Sequence, residues 1–189
     1  MRKKSHVALS IYLVNNLESD LLENHKKAFI MGSVLPDCKL SFVTTRHNME
    51  ETFDTVCSVI SELSDDLPDK ASSSYCRKLG EVTHYVADYF TFPHNKTFNG
   101  NIRQHCKYEK QLKMALSDYI KSEQINENKE IAAQFDTSED LCRYVEQLHG
   151  KYLMASRDID SDCRYIVTLC HIVVEGVLNL TDKNVNVGD

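Results

Sequence analysis

An all-α, single-domain bundle of about six helices is the fold this sequence predicts, and three observations predict it. Apolar residues recur at three- and four-residue spacing along nearly the whole chain, the repeat of a helix that buries one face. Only six glycines and three prolines occur in 189 residues, which favours long helices with short connections. That length suits one domain (residues 1–189), and chains of this size bury about 70% of their unfolded surface, so a core forms without staples.

The first helix is expected over residues 5–24, with apolar positions at Val7, Ile11, Val14, Leu17, Leu21 and Leu22. The segment "FIMGSVLPDCKLSFVTTRH" interrupts it, with Gly32 and Pro36 as breakers. A second helix starts at "NMEE", where Asn48 can cap and Glu51 can reach back to complete a capping box; it runs to about Leu63. "SDDLPDKASSS" is the clearest loop in the chain. The third helix spans Ser74 to Phe92 and is stopped by Pro93, which has no N–H to donate. A turn, "PHNKTFNGN", leads into a fourth helix from Ile102 to Ser122, followed by the polar linker "EQINENKE". Two more helices follow, Ser138 to Ser156 and Ile159 to Leu180, with a polar tail after them. The apolar run "YIVTLCHIVVEGVL" is too long for an ordinary strand and fits a buried helix.

Composition excludes several functions. The net charge is −6, and the longest basic run is Arg2-Lys3-Lys4, so no stable nucleic-acid complex is expected. The seven cysteines form no CxxC pair, which excludes a zinc ribbon or a thioredoxin-type motif; they read as reduced, mostly buried thiols of a cytoplasmic protein. The start "MRKKSHVALSIYLVNN" imitates a secretion signal. Its apolar run is short, Ser10 breaks it, and no small-residue cleavage site follows. A cytoplasmic location is therefore expected, with secretion left open. No segment approaches the ~20 apolar residues of a membrane span.

The chemistry concentrates in "HYVADYFTFPH" and the "HCKYE" that follows it. Residues four apart share a helix face, so His84 pairs with Asp88 and His105 with Glu109, each pair able to present nitrogen and oxygen ~2 Å from one zinc. His94 lies just past Pro93 and can turn toward the space between the two helices. Chance gives about one His-x-x-x-Asp/Glu pair in such a composition, and this chain has four, including His47/Glu51 and His171/Glu175. Glu51 already has a capping role, and His171 with Glu175 reads as a core pair in an apolar helix. The tandem His84, Asp88, His94, His105, Glu109 is far more specific than any one pair.

That tandem resembles the zinc-binding core of the bacterial zinc-dependent phospholipase C family, whose helical fold and three-metal logic the fungal zinc nucleases share. Asp37 in "GSVLPDCKL", His47 in "TTRHNMEE" and His6 in "KKSHVALS" match the family's upstream Asp, its next His and its N-terminal His. The resemblance covers roughly residues 6–110, and the chain has no room for the C-terminal lipid-binding β-sandwich of secreted members.

The resemblance implies two or three Zn2+ ions between helices. His84 and Asp88 would share one with Asp37 and His47. His94, His105 and Glu109 would hold a second, and Asp88 would bridge to a third completed by His6. In the family an N-terminal tryptophan supplies its amine and carbonyl to that third ion; this chain has no tryptophan, and five residues precede His6. Ions so held neutralise a phosphodiester, lower the pKa of a bound water and stabilise the leaving oxygen, and Asp37 would orient or deprotonate that water. The implied function is a phospholipase C-like zinc phosphoester hydrolase. Its substrate is a phospholipid, with transient contact to a membrane surface, or a soluble phosphoester or nucleotide; oligomeric state is left open. A non-catalytic zinc-binding helical module is the alternative. A His–Asp phosphohydrolase would need an adjacent His-Asp dipeptide, which the chain lacks. Asn48, Tyr85, Tyr89 and Asn95 are candidates to support the ligands, Cys38 adjoins Asp37, Cys106 reads as packing, and His25 and His149 read as surface residues.

Overall fold

The computed structural model describes residues 1–38, 47–65, 72–122, 134–155 and 158–186, and every regular element among them is helical. In chain order these are α1 (Lys3–Asn16), α2 (Asp20–Asn24), α3 (Lys26–Gly32), α4 (Met49–Asp65), α5 (Ser73–Tyr89), α6 (Ile102–Lys121), α7 (Ser138–Met154) and α8 (Ile159–Asn186). Short 3₁₀ turns cover Pro36–Cys38 and Phe92–His94. Most of the "SDDLPDKASSS" loop and all of the "EQINENKE" linker lie outside the described residues.

The single helix expected over 5–24 is two. Leu17 takes an extended backbone that ends α1, and the Ser19 side chain accepts from Leu22 N–H to start α2. With α3 this raises the count from about six helices to eight. The buried face of α1 also differs from the expected stripe. Val14 is buried as expected, but Ile11 is 44% exposed, and His6, Leu9, Ser10 and Leu13, all outside the expected stripe, are buried. Apolar residues surround this helix, and periodicity alone could not choose among its faces.

From α4 onward each helix begins on a side-chain cap that satisfies one of its orphan N–H groups. Asn48 Oδ1 accepts from Glu51 N–H at 3.0 Å, and the Asn48 side-chain amide donates to Glu51 Oε1 at 3.3 Å. Ser72 caps α5, Asn101 and Gln104 form a reciprocal box on α6, and Thr137 caps α7. The α5 helix stops at Tyr89, earlier than Phe92, because the ring of Pro93 disfavours helical backbone just before it.

The core is organised around α5 and α8. The α5 helix packs on α3, α4 and α8, and α8 also meets α6 and α7. Burying a large apolar side chain contributes about 1.5–3 kcal/mol, and α5 buries Leu79, Val82, Val86 and Tyr89 alongside the polar Thr83, His84 and Asp88. The α8 helix corrects one expectation: over Ile159–Lys183 it is long and apolar enough to cross a membrane, yet 61% of its most apolar window is buried inside the bundle. That is the behaviour of a core helix.

Two glycines set the tightest crossing. A Cβ at Gly80 would sit 2.2 Å from the Phe29 carbonyl oxygen, and one at Gly32 would sit 2.0 Å from that of Arg77. Gly32 therefore does more than end α3; it lets α3 lie backbone to backbone on α5.

Candidate metal centre

All eight residues singled out in the sequence converge on one end of the bundle. His6 comes from α1, Asp37 from the first 3₁₀ turn, His47 from the residue before the α4 cap, and His84 and Asp88 from α5. His94 ends the second 3₁₀ turn, and His105 and Glu109 lie on α6. They form three groups, each with donor atoms within 4.8 Å of one another: His6, Asp37 and His84; His47, His84 and Asp88, which shares His84 with the first; and His94, His105 and Glu109.

Asp88 is the hub, with its side chain 1% exposed. Its Oδ2 lies 3.4 Å from His47 Nδ1, 3.4 Å from His84 Nε2 and 3.4 Å from His94 Nδ1, and it has no hydrogen-bond partner. Its Oδ1 faces His6 Nε2 at 3.4 Å. Neither ring nitrogen of the buried His6 has a partner either. Asp37 Oδ1 stands 3.8 Å from His84 Nε2 and 3.9 Å from His47 Nδ1. In the second group Glu109 Oε1 is 3.4 Å from His94 Nε2 and 3.3 Å from His105 Nε2.

Four donors around a tetrahedral zinc, each about 2.0–2.1 Å from it, lie roughly 3.3 Å from one another. The spacings here are those of ligands sharing an ion. Orphaned buried acceptors cost free energy unless something satisfies them, and a cation satisfies His6 and Asp88 together. The residues present fit zinc.

His84 is held as a ligand histidine is held. Its Nδ1–H donates to the Ser33 carbonyl at 2.8 Å, which leaves the Nε2 lone pair facing His47 and the two aspartates. Its ring stacks on that of His6 with centroids 4.0 Å apart. Burial, with further lowering by His6, holds His84 well below its ordinary pKa, and burial lowers His6 as well. Both shifts favour the neutral imidazole, the form that metal binding requires. Burial alone would push Asp88 up, but His94, the chain's N-terminal ammonium and His84 together hold it well below the usual carboxylate range. Asp37 goes the other way, raised by burial and then by Asp88.

The residues before His6 fold back over the site. The Met1 ammonium, fully buried, contacts Asp88 Oδ1 and lies 3.1 Å from His94 Nε2 and 3.4 Å from Glu109 Oε1. A positive charge thus stands between the ligand groups.

The helices beyond residue 110 clamp the turn that carries His94. Asp162, fully buried on α8, accepts from Phe92 N–H at 2.9 Å, Tyr108 O–H at 2.9 Å and Tyr152 O–H at 2.7 Å. His149, expected at the surface, is 6% exposed and donates to Asn95 Oδ1 at 2.8 Å; Asn95 in turn donates to the carbonyls of Tyr89 and Thr91. Contacts spanning 54 and 70 residues leave no local pattern, and neither residue stands out in the sequence. Tyr85 packs edge-on against His47 and His84, and Tyr89 shares a hydrogen bond with Thr52. Cys106 is exposed rather than packed, and Cys38 is exposed beside Asp37. His171 and Glu175 line a separate cavity of about 540 Å³ between α1 and α8.

Asp162→Ala leaves three donors without their acceptor and is expected to destabilise the protein by about 2–3 kcal/mol. Burial pushes Asp162 up to about 6, so its contribution is full below the unfolded value near 4 and fades as pH rises through about 6. Denaturant titrations should find a larger gap between wild type and variant at pH 5 than at pH 7.5. An equal gap would contradict this reading.

The family model for "Zinc dependent phospholipase C" matches residues 5–159, a span that takes in the whole cluster and the α7 clamp. No curated protein and no solved structure matched the chain. With the geometry and the extent of that match together, the chain belongs to the zinc-dependent phospholipase C family.

Proposed function

We propose that the protein is a zinc-dependent phosphoester hydrolase. The observation that carries this reading is the orphaned Asp88 Oδ2, ringed at 3.4 Å by three imidazole nitrogens, two of which belong to residues, His47 and His94, that line an open cavity of about 1160 Å³. His47, His84, Asp37 and Asp88 would hold one ion, and His94, His105 and Glu109 a second. Asp88 would reach a third through Oδ1 together with His6, and in a chain that starts at Met1 the residue-1 amine is a further donor there. When bound, such ions neutralise phosphate charge and acidify water. Asp37 lines the cavity beside the donor set, where its carboxylate can orient the attacking water and accept its proton. Asp88, His6 and His84 are buried away from bulk solvent, and Ser33 fixes the orientation of His84. An open cavity at the donor set favours turnover over a purely structural zinc module, whose site would be closed.

The test is metal analysis combined with hydrolysis of choline, ethanolamine, inositol and nucleotide phosphoesters. Zinc-loaded wild type is expected to hold at least two ions and to turn over one of these classes. Asp37→Asn should lower turnover about 10²–10³-fold while His47, His84, Asp88 and the second group keep zinc bound. Near-zero zinc in wild type would sink the metal reading. Bound zinc with no hydrolysis of any class would turn the assignment to the binding module.

A further inference from the structure

The cavity above the cluster carries a charge pattern of its own. Among its described lining residues the charged side chains are Arg2, Lys3, Lys96, Asp37 and Glu109, and Met1 adds its buried ammonium. Both carboxylates belong to the cluster, so every charged lining residue outside it is basic, in a chain with 28 acidic and only 22 basic residues. The three basic side chains flank different parts of the site. Lys3 Nζ lies 3.4 Å from Cys38 Sγ, next to Asp37; Arg2 donates to the Cys106 carbonyl at 3.2 Å, next to His105; Lys96 follows His94 by two residues. Lys96 is 73% exposed, and its contact with Glu50 spans 3.5 Å; an exposed pair of this kind holds a lysine only weakly.

A cationic headgroup would need a carboxylate or an aromatic cage at the mouth. Among the described lining residues the aromatic ring other than histidine is Phe98, already set edge-on against Phe92 and His105. One ring makes no cage, and the two lining carboxylates, Asp37 and Glu109, belong to the metal-ligand cluster, so no carboxylate among these residues is left over for an ammonium.

Resting on the hydrolase reading above, we propose that this mouth selects phosphoesters bearing a second negative charge beyond the scissile phosphate, with Lys96, Lys3 and Arg2 as the specificity-determining cations. The second charge is a phosphate on the leaving headgroup, whether that headgroup is attached to lipid or to a soluble backbone. Fixed cations around a concave site focus their field on such a group.

Four esters test this: dihexanoyl phosphatidylcholine and dihexanoyl phosphatidylinositol 4-phosphate, and the deacylated form of each. The zinc-loaded protein is expected to favour the inositol phosphate headgroup at least about tenfold in kcat/KM, and the preference should shrink as salt rises. The diacyl and deacylated arms reveal which source of the headgroup is used. Lys96→Glu should lower the headgroup ratio about 5- to 10-fold, chiefly through KM, and Lys96→Arg should preserve it. A choline ester cleaved as well as or better than its partner, or a ratio unmoved by Lys96→Glu, overturns the proposal. If no ester is cleaved the hydrolase reading fails by itself. Calorimetric titration with the two deacylated esters still decides selectivity: tighter binding of the inositol phosphate compound sustains the proposal, and equal binding overturns it.

Discussion

Asp88→Asn is expected to strip the centre of zinc and to lower turnover by at least about 10³-fold, the scale of several kcal/mol that metal ions supply at a phosphoryl centre. The reason lies in how many groups depend on this carboxylate. His47, His84 and His94 approach one oxygen at 3.4 Å each, while His6 and the Met1 ammonium face the other. An amide of the same shape offers a single neutral oxygen and places an N–H₂ among lone pairs. The effect extends to the metal-free protein, since taking one partner from a buried charged pair costs about 3–5 kcal/mol. The cluster holds Asp88 well below the ordinary carboxylate range. Its contribution is therefore complete above the unfolded value near 4 and is lost only as pH falls through the depressed folded value. Metal-free wild type and Asp88→Asn should differ fully at pH 7 and converge only in strong acid. A variant that keeps two ions and its activity would refute the bridging role.

The His84–Glu109 tandem was legible because helical spacing and a proline stop are local facts. His84 and Asp88 share a face by the geometry of one turn, and Pro93 ends α5 within a few residues of where its ring demands. Asp37 and His47 were reached by resemblance rather than by spacing, since each lies in irregular chain between helices. What local pattern could not reveal is what holds the site in place. Asp162 looks like an ordinary acidic residue in a helix's first turn, and its role appears only when α8 brings it beneath Phe92. His149 reads as polar surface, yet α7 turns it inward to Asn95. The face of α1 is only partly legible for a related reason. Serines at positions 5 and 10 are buried there, so polarity did not mark the solvent side.

The same alanine substitution at two glycines should act in opposite directions. Gly150 lies in α7 with nothing within 4 Å of where a Cβ would sit. Gly150→Ala should stabilise by about 0.5–1 kcal/mol, because it removes chain entropy from the unfolded state at no steric cost. At Gly80 the added carbon would meet backbone on α3, with Phe29 O at 2.2 Å and Ser33 N at 2.9 Å. Backbone cannot rotate aside as a flexible side chain does, so the two helices must separate. Gly80→Ala is expected to cost at least about 3 kcal/mol, at or above the upper end of ordinary overpacking. The separation also reaches the metal centre. His84 is one turn beyond Gly80, and the Ser33 carbonyl that fixes its Nδ1–H at 2.8 Å moves with α3. Losing such a support typically costs 10–100-fold in metal affinity, so a competitive chelator titration should show zinc released about that much more readily. If Gly80→Ala lowers stability but leaves zinc affinity intact, the α3–α5 crossing is a packing feature alone; loss of both ties the crossing to the site.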